Sequence, residues 1–147
     1  MRYKPYVMRF TLHAMRLTTY TDGGARGNPG PAAAGIIIKD AAGKTVAGYG
    51  EYLGRQTNNY AEYSALISGL KKAKELGADE VECILDSELV TKQMNRQYRV
   101  KEPTLQKLFI QTFNLACAFK KVSYKHILRE GNKEADWWVN RILDKHA

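Results

Sequence analysis

Thiols are scarce in this sequence. Cys83 and Cys117 are the only two cysteines and share no CxxC spacing. That excludes a disulfide scaffold and a thiolate zinc site, suits a reducing compartment, and reads each thiol as a small core residue. Long apolar runs are absent as well: a run such as Ile36–Ile38 is far too short to cross a bilayer, so no membrane contact is expected. No basic, then apolar, leader with a small-residue cleavage site opens the chain, so the expected location is cytoplasmic. Internal repeats and low-complexity tracts are missing too. Acids are in short supply, 15 against 23 Lys and Arg for a net charge of +8, which favours a polyanionic partner, nucleic acid first. What is present, 44% hydrophobic and 26% charged residues over 147 positions, describes one globular domain able to bury an ordinary core.

The chain divides into an N-terminal extension, residues 1–14, and a domain over residues 15–147. The extension has no clear period, is expected to add at most an edge strand, and carries an exposed His13; Met8 and Met15 are both candidate starts. Leu17–Tyr20 is β-branched and aromatic, hence a strand. Ala32–Lys39 and Ala47–Leu53 follow as strands around a turn at Ala41–Lys44, completing an antiparallel meander. Thr57 or Asn58 caps a helix to about Leu76, whose Tyr63, Leu66, Ile67, Leu70 and Ala73 form one apolar stripe and which Gly77 ends. Glu80–Leu85 is a strand, parallel to the first because a helical crossover precedes it. Ser87 opens a helix to about Asn95, and a loose basic segment, Arg96–Lys101, follows. Pro103 starts a helix expected to bury Leu105, Leu108, Phe109, Thr112, Ala116 and Phe119. Val122–Ile127 is the fifth strand, and Gly131–Asn132 caps a last helix with a stripe of Ala135, Trp138, Val139, Ile142 and Leu143. The reading is α/β, a five-stranded mixed sheet with helices packed on it.

One stretch organises the rest. In Leu17–Pro31, LTTYTDGGARGNPGP, Asp22 ends a strand and four glycines follow within eight residues. Such a density needs positive φ or a close approach by something else. Alone, the stretch reads either as a hairpin turn with a solvated aspartate or as a site for a metal or phosphate. Asp86 ends the neighbouring parallel strand, and the carboxyl ends of adjacent strands are where sites form in such sheets. Glu62 comes from the first turn of the crossover helix and Asp136 from the start of the last one; singly, each reads as a solvated helix-terminal acid. Converging on one rim, four carboxylates would repel and drive a pKa up unless divalent cations sat among them. All-oxygen ligation suits Mg²⁺ or Mn²⁺ and not zinc, and two such ions about 3.5–4 Å apart serve phosphodiester displacement.

The segments TDGGARGNPGPAAAGIII, GRQTNNYAEYSALISGL, ILDSELVTKQM and HILREGNKEADWWVN, in this order and spacing, resemble type 1 ribonuclease H from Met15 to Leu143. The resemblance implies the ribonuclease H-like fold, with helices packed on both faces of the sheet. It implies an endonuclease that hydrolyses the RNA strand of an RNA–DNA hybrid, leaving 5′-phosphate and 3′-hydroxyl ends. Asp22, Glu62, Asp86 and Asp136 would then hold two Mg²⁺ ions, or Mn²⁺ in their place. By the same resemblance Asp22 bridges both ions, Glu62 and Asp86 hold one and Asp136 the other; one ion activates the attacking water and the other stabilises the leaving 3′-oxygen. Asn28, Asn58 and Asn59 match positions that contact the minor groove and 2′-hydroxyls, where amides supply both donors and acceptors. Gly24 matches a position of close approach to the RNA backbone, and Arg55 and Thr57 match residues that grip a phosphate of the DNA strand. Read without the resemblance, Arg55 is a surface arginine and Asn58 a helix cap. A monomer is expected.

Two departures from the family pattern bear on function. Many members place a histidine in a mobile loop before the last helix to aid product release. Here the connection is short, LREGNKEAD, as in archaeal and some bacterial members, and Arg129 stands where such a histidine would. Arg129 is assigned that role through a phosphate contact, against the plainer reading of a solvated loop arginine. His126 lies earlier, on a strand, and is read as packed or hydrogen-bonded there. The basic protrusion of some members is missing, with Arg96–Lys101 its only remnant, so weaker hybrid affinity is expected. Some short-loop relatives also cut double-stranded RNA, which stands as the second candidate substrate. Exonucleases and integrases of related geometry space their acids differently. A non-catalytic nucleic-acid-binding module would have lost a carboxylate, and all four are present. Metal-free cleavage with His126 as general base lacks a second acid–base partner.

Overall fold

A computed structural model describes residues 14–147; residues 1–13, on which the expected edge strand and His13 fall, lie outside the described residues. Five strands, β1 (Arg16–Ala25), β2 (Gly30–Asp40), β3 (Thr45–Gln56), β4 (Glu80–Leu85) and β5 (Lys121–His126), form one sheet in the order β3-β2-β1-β4-β5. β1, β2 and β3 make the antiparallel meander, and β4 and β5 add to β1 in parallel. Helices α1 (Asn58–Glu75), α2 (Glu88–Met94), α3 (Pro103–Ala116) and α4 (Lys133–Lys145) connect and cover it, with a short 3₁₀ turn at Arg129–Gly131.

β2 shows why both faces are covered. Its run AAAGIII has no polar alternation, as expected of a strand buried on both sides. Ala34, Ile36 and Ile38 join the main core with Tyr63, Leu66 and Leu70 of α1, while Ala33 meets Val139 and Leu143 of α4. Burying each Leu or Ile of this kind stabilises the fold by roughly 1.5–3 kcal/mol. The α1 stripe is buried as its spacing predicts, and Thr57 is the cap, its Oγ1 accepting from the Tyr60 N–H at 3.2 Å. Gly77, at φ +91°, follows the C-terminus of α1. In α3 only Leu105 and Thr112 are fully buried, with Leu108, Phe109 and Ala116 half-covered and Phe119 buried just beyond the helix.

The glycine stretch departs from expectation. β1 does not stop at Asp22 but continues through Gly23 and Gly24 to Ala25, and of this stretch only Gly27 has positive φ, +101°. Close approach explains the rest. A Cβ on Gly23 would collide with the Ala61 carbonyl, and one on Gly30 with the Arg26 carbonyl. The absent side chains let α1 press onto β1 and let the loop at residues 26–29 close on itself.

Candidate active site

Thr21 of β1 stands opposite Leu85 of β4 in the parallel ladder, so the next residues, Asp22 and Asp86, are brought side by side. α1 delivers the third acid. Because Gly23 allows the helix backbone against the strand, Glu62 reaches the sheet and its Oε1 accepts the Gly23 N–H at 2.8 Å. Asp22 is 3% exposed and Glu62 8%, so the plain reading of Glu62 as a solvated helix-terminal acid fails. Oxygens of Asp22, Glu62 and Asp86 lie within 4.8 Å of one another.

Asp136 arrives on the first turn of α4, which is fixed to β1 one residue from Asp22. The side chain of Asn132 is buried, and its Nδ2 donates to the Thr21 carbonyl at 2.9 Å. Asn132 is the N-cap residue of α4, as read from sequence, but its side chain makes no cap bond and instead anchors the helix start to the strand. Asp136 is not among the acids whose oxygens lie within 4.8 Å of one another, but its charge raises the Asp22 carboxyl.

The electrostatics follow from burial and crowding. Desolvation, then the charge of Asp86, then Asp136, push the Asp22 carboxyl up to about 7. Glu62 is raised well above the usual carboxylate range by burial first and by Asp22 second. The Gly23 N–H donated to Glu62 only partly offsets these effects. Asp86 carries a buried Oδ2 with no hydrogen-bond partner. Unsatisfied buried carboxylate oxygen is costly, and a hard divalent cation among these oxygen donors removes the cost while returning the acids to their charged forms. The donor set therefore fits Mg²⁺ or a similar ion.

The four acids open into a cleft of about 540 Å³, and Gly24, Asn58, Asn59 and Arg129 line it with them. Gly24 differs from Gly23: a Cβ there would make only ordinary contact with Val139, so the protein itself leaves that space free. Asn58 is not the cap; its Oδ1 accepts from the Ala25 N–H at 2.8 Å, while Asn28 Oδ1 accepts from the Asn58 N–H at 3.0 Å. The amide nitrogens of Asn28 and Asn58 donate to nothing among the described residues. Arg55 and Thr57 adjoin the cleft through the β3–α1 junction rather than lining it, Arg55 pairing with Pro31 across the sheet. His126 is hydrogen-bonded at its strand end, Nε2 lying 3.2 Å from the Asp86 carbonyl, as expected.

Arg26, Ser87 and Asn140 also line the cleft and were not singled out by sequence. Asn140 had a legible signal, since it sits four residues after Asp136 and so on the same helix ridge. Arg26 had none, because its approach to α4 depends on how the glycine loop folds.

Comparison with known proteins agrees with this arrangement. Residues 20–142 match the family described as reverse transcriptase-like. The bifunctional protein Rv2228c of Mycobacterium tuberculosis is 42% identical over 134 residues, 90% of this chain; the chain spans only 37% of that protein's length. The crystal structure of RNase H1 from Halobacterium salinarum superposes with a TM-score of 0.87 at 40% identity, covering 88% of this chain and 98% of that one. LC11-RNase H1, solved in complex with an RNA/DNA hybrid, superposes at 0.84 with 43% identity over 88% of this chain and 98% of its own. In sequence, in topology and in the sheet from which its acids project, this chain belongs to the type 1 ribonuclease H family.

Proposed function

We propose that this protein is an endonuclease that hydrolyses the RNA strand of RNA–DNA hybrids with two bound Mg²⁺ ions, leaving 5′-phosphate and 3′-hydroxyl ends. The observation that carries this reading is the set of buried Asp22 and Glu62 with half-buried Asp86, their oxygens within 4.8 Å and one buried oxygen of Asp86 unpartnered, lining an open polar cleft. Glu62 and Asp86, with Asp22 between them and Asp136, would hold the cations; Mn²⁺ is accepted by the same oxygen donors. When bound, the ions supply an activated water and a stabilised leaving 3′-oxygen.

The rest falls to the chain's own residues. Asn28 and Asn58 spend their carbonyl oxygens holding the loop and helix start together, which leaves their N–H groups for 2′-hydroxyls and base-edge acceptors of a minor groove. Asn59 lines the cleft beside Asn58, and the open space at Gly24 would admit a sugar-phosphate backbone. Thr57 accepts from the Tyr60 N–H, so its hydroxyl proton remains for a phosphate of the DNA strand, with Arg55 supplying charge and the N-terminus of α1 adding to it. Arg129 lines the cleft with Asp136 and would draw on the departing phosphate. The protein acts as a monomer in a reducing, cytoplasmic setting, consistent with the free thiol of Cys117, which is exposed and not a core residue as read from sequence; no helix among the described residues is long and apolar enough to cross a membrane.

The test is incubation of an end-labelled hybrid with Mg²⁺, with and without EDTA, beside double-stranded RNA and double-stranded DNA. The expected result is cleavage confined to the RNA of the hybrid, abolished by EDTA, with 5′-phosphate products. An intact hybrid at saturating Mg²⁺ overturns the reading, and equal cleavage of double-stranded RNA widens the substrate class.

A further inference from the structure

Asp136, Asn140 and Asp144 recur every four residues along α4 and so share one ridge of the helix. Arg26, from the loop between β1 and β2, bridges the far two: its Nη2 lies 2.7 Å from Asp144 Oδ1 and donates to Asn140 Oδ1 at 3.5 Å. Asn140 in turn donates its Nδ2 to the Asp136 carbonyl at 3.1 Å and to Asp136 Oδ2 at 3.3 Å. We propose that Asn140 is a positioning residue for the Asp136 carboxylate, and that Arg26, clamped by Asp144, holds the Asn140 amide in the orientation that does this. The proposal rests on Asp136 being a metal ligand, as put forward above.

The chemistry of the groups dictates the direction of the chain. A carboxylate only accepts and a guanidinium only donates, whereas an amide has one end of each kind. Between Asp136 and Arg26, the Asn140 amide has one favourable orientation, nitrogen to the carboxylate and oxygen to the arginine. Turned over, it would set oxygen against oxygen and N–H against N–H. Asp136 is only half-buried and at a helix surface, where an aspartate without such a partner samples several rotamers. Fixing one rotamer before a cation arrives removes an ordering cost from metal binding.

Arg26 is itself held. Its N–H donates to the Pro31 carbonyl at 2.8 Å, and its own carbonyl sits where Gly30 leaves no room for a side chain. The same loop carries Asn28, whose Oδ1 accepts the Asn58 N–H. One short loop thus ties α1 on one side of the cleft to α4 on the other. Asp144 offsets the charge of Arg26, which distinguishes this arginine from a free phosphate-gripping cation. Both partners of that ion pair are substantially exposed, 44% and 70%, so the pair adds little to global stability and its effect lies in orientation.

The experiment uses the full chain with Asn140→Ala, Asn140→Asp, Arg26→Ala and the double variant Arg26→Ala/Asn140→Ala. Two readouts are taken: the Mg²⁺ concentration giving half of the metal-induced shift in melting temperature without nucleic acid, and kcat and KM on a hybrid. Asn140→Ala should raise the half-saturating Mg²⁺ and lower kcat, each by about 10-fold, as loss of an outer hydrogen-bond partner does at metal sites. KM and the metal-free melting temperature should stay close to wild type. Asn140→Asp, nearly isosteric but without the donor and carrying a repelling charge, should be worse than Ala. Arg26→Ala should move the same quantities less, and add nothing on the Asn140→Ala background. Unchanged Mg²⁺ half-saturation in Asn140→Ala overturns the proposal. So does an Arg26→Ala whose loss is in KM alone and adds fully to that of Asn140→Ala, which makes Arg26 a substrate contact. If wild type cuts no hybrid, the functional reading falls while the metal readout still decides this one.

Discussion

The N–H of Gly23 and the carboxylate of Glu62, 39 residues apart, meet at 2.8 Å because Gly23 has no side chain to hold α1 off β1. Adding one methyl at this point must displace either the Ala61 carbonyl or the strand. We expect Gly23→Ala to destabilise the protein by about 3 kcal/mol or more, at the upper end of overpacking costs, and to lower metal affinity with it. Gly24→Ala, one residue away, meets only Val139 at 3.5 Å and should fold as wild type while binding hybrid more weakly. Denaturant melts and hybrid titrations of the two variants separate these outcomes. Equal stability for both would mean the approach at Gly23 is not what places Glu62.

The crowded carboxyls make the metal-free protein less stable as pH rises. Asp22 titrates at about 7 in the fold against an ordinary value of 3.8, and burial is the main cause. Between those values the folded chain binds more protons than the unfolded one, so unfolding free energy falls with increasing pH, and this contribution is lost as pH passes 7. Glu62, raised in the same direction, adds to the slope. The metal-free melting temperature should therefore drop from pH 5 to pH 8, Asp22→Asn should flatten that drop, and saturating Mg²⁺ should flatten it in wild type. At pH 6.5, Mg²⁺ binding should release protons, seen as a buffer-dependent heat in calorimetry. A flat profile without metal counts against the burial argument.

Asp86→Asn isolates charge from shape. It removes one negative charge from the cluster while keeping the shape of the side chain whose Oδ2 is buried without a partner. The metal-free melting temperature should hold or rise, Mg²⁺-induced stabilisation should shrink, and cleavage should fall below about a tenth of wild type, since a lost ligand costs several kcal/mol in the transition state. Activity above that level would remove Asp86 from the principal ligands.

Arg129→Ala tests the short connection before α4. Arg129 begins the 3₁₀ turn that leads into Asn132, and it lines the cleft with Asp136. Turnover should fall more than hybrid affinity, because a residue that draws on the product phosphate acts after binding. Identical burst and steady-state rates for variant and wild type would make Arg129 an ordinary loop arginine.

Sequence pattern carried the fold far. The α1 stripe, the unbroken apolar run of β2 and the parallel β4 are local or near-local signals that packing reinforces, and they hold. Asp86 follows a strand end and Glu62 and Asp136 lie near helix starts, so their positions were legible; Asp22 was legible from the glycines after it, although β1 runs on past it. What stayed hidden depended on contacts between distant segments. β1 runs on through its glycines because α1 covers them, the Asn132 side chain anchors α4 because Thr21 offers it a carbonyl, and Arg26 meets α4 only once the loop has closed. None of these is written in spacing or composition.

The choice of strand should rest on the 2′-hydroxyl. Asn28 and Asn58 tie the loop, α1 and β1 together through their oxygens, which leaves both N–H donors of each amide for a ligand, and Asn59 lies beside Asn58 in the cleft. A donor reads a 2′-hydroxyl oxygen, which DNA lacks, and does little to tell one base from another in a minor groove. Arg55 and Thr57 offer charge and a hydroxyl, which read phosphate and carry no sequence information. The enzyme should therefore cut the RNA of a hybrid at many sequences, spare duplex DNA, and weaken with salt, less steeply than relatives whose basic protrusion adds phosphate contacts. A hybrid whose RNA strand contains a short DNA patch decides the matter. Cleavage should stop within the patch and resume beyond it, and Asn28→Ala, Asn58→Ala and Asn59→Ala should each narrow the difference in rate between the two. Cutting inside the patch as fast as in the flanking RNA would leave the three asparagines without the role given to them.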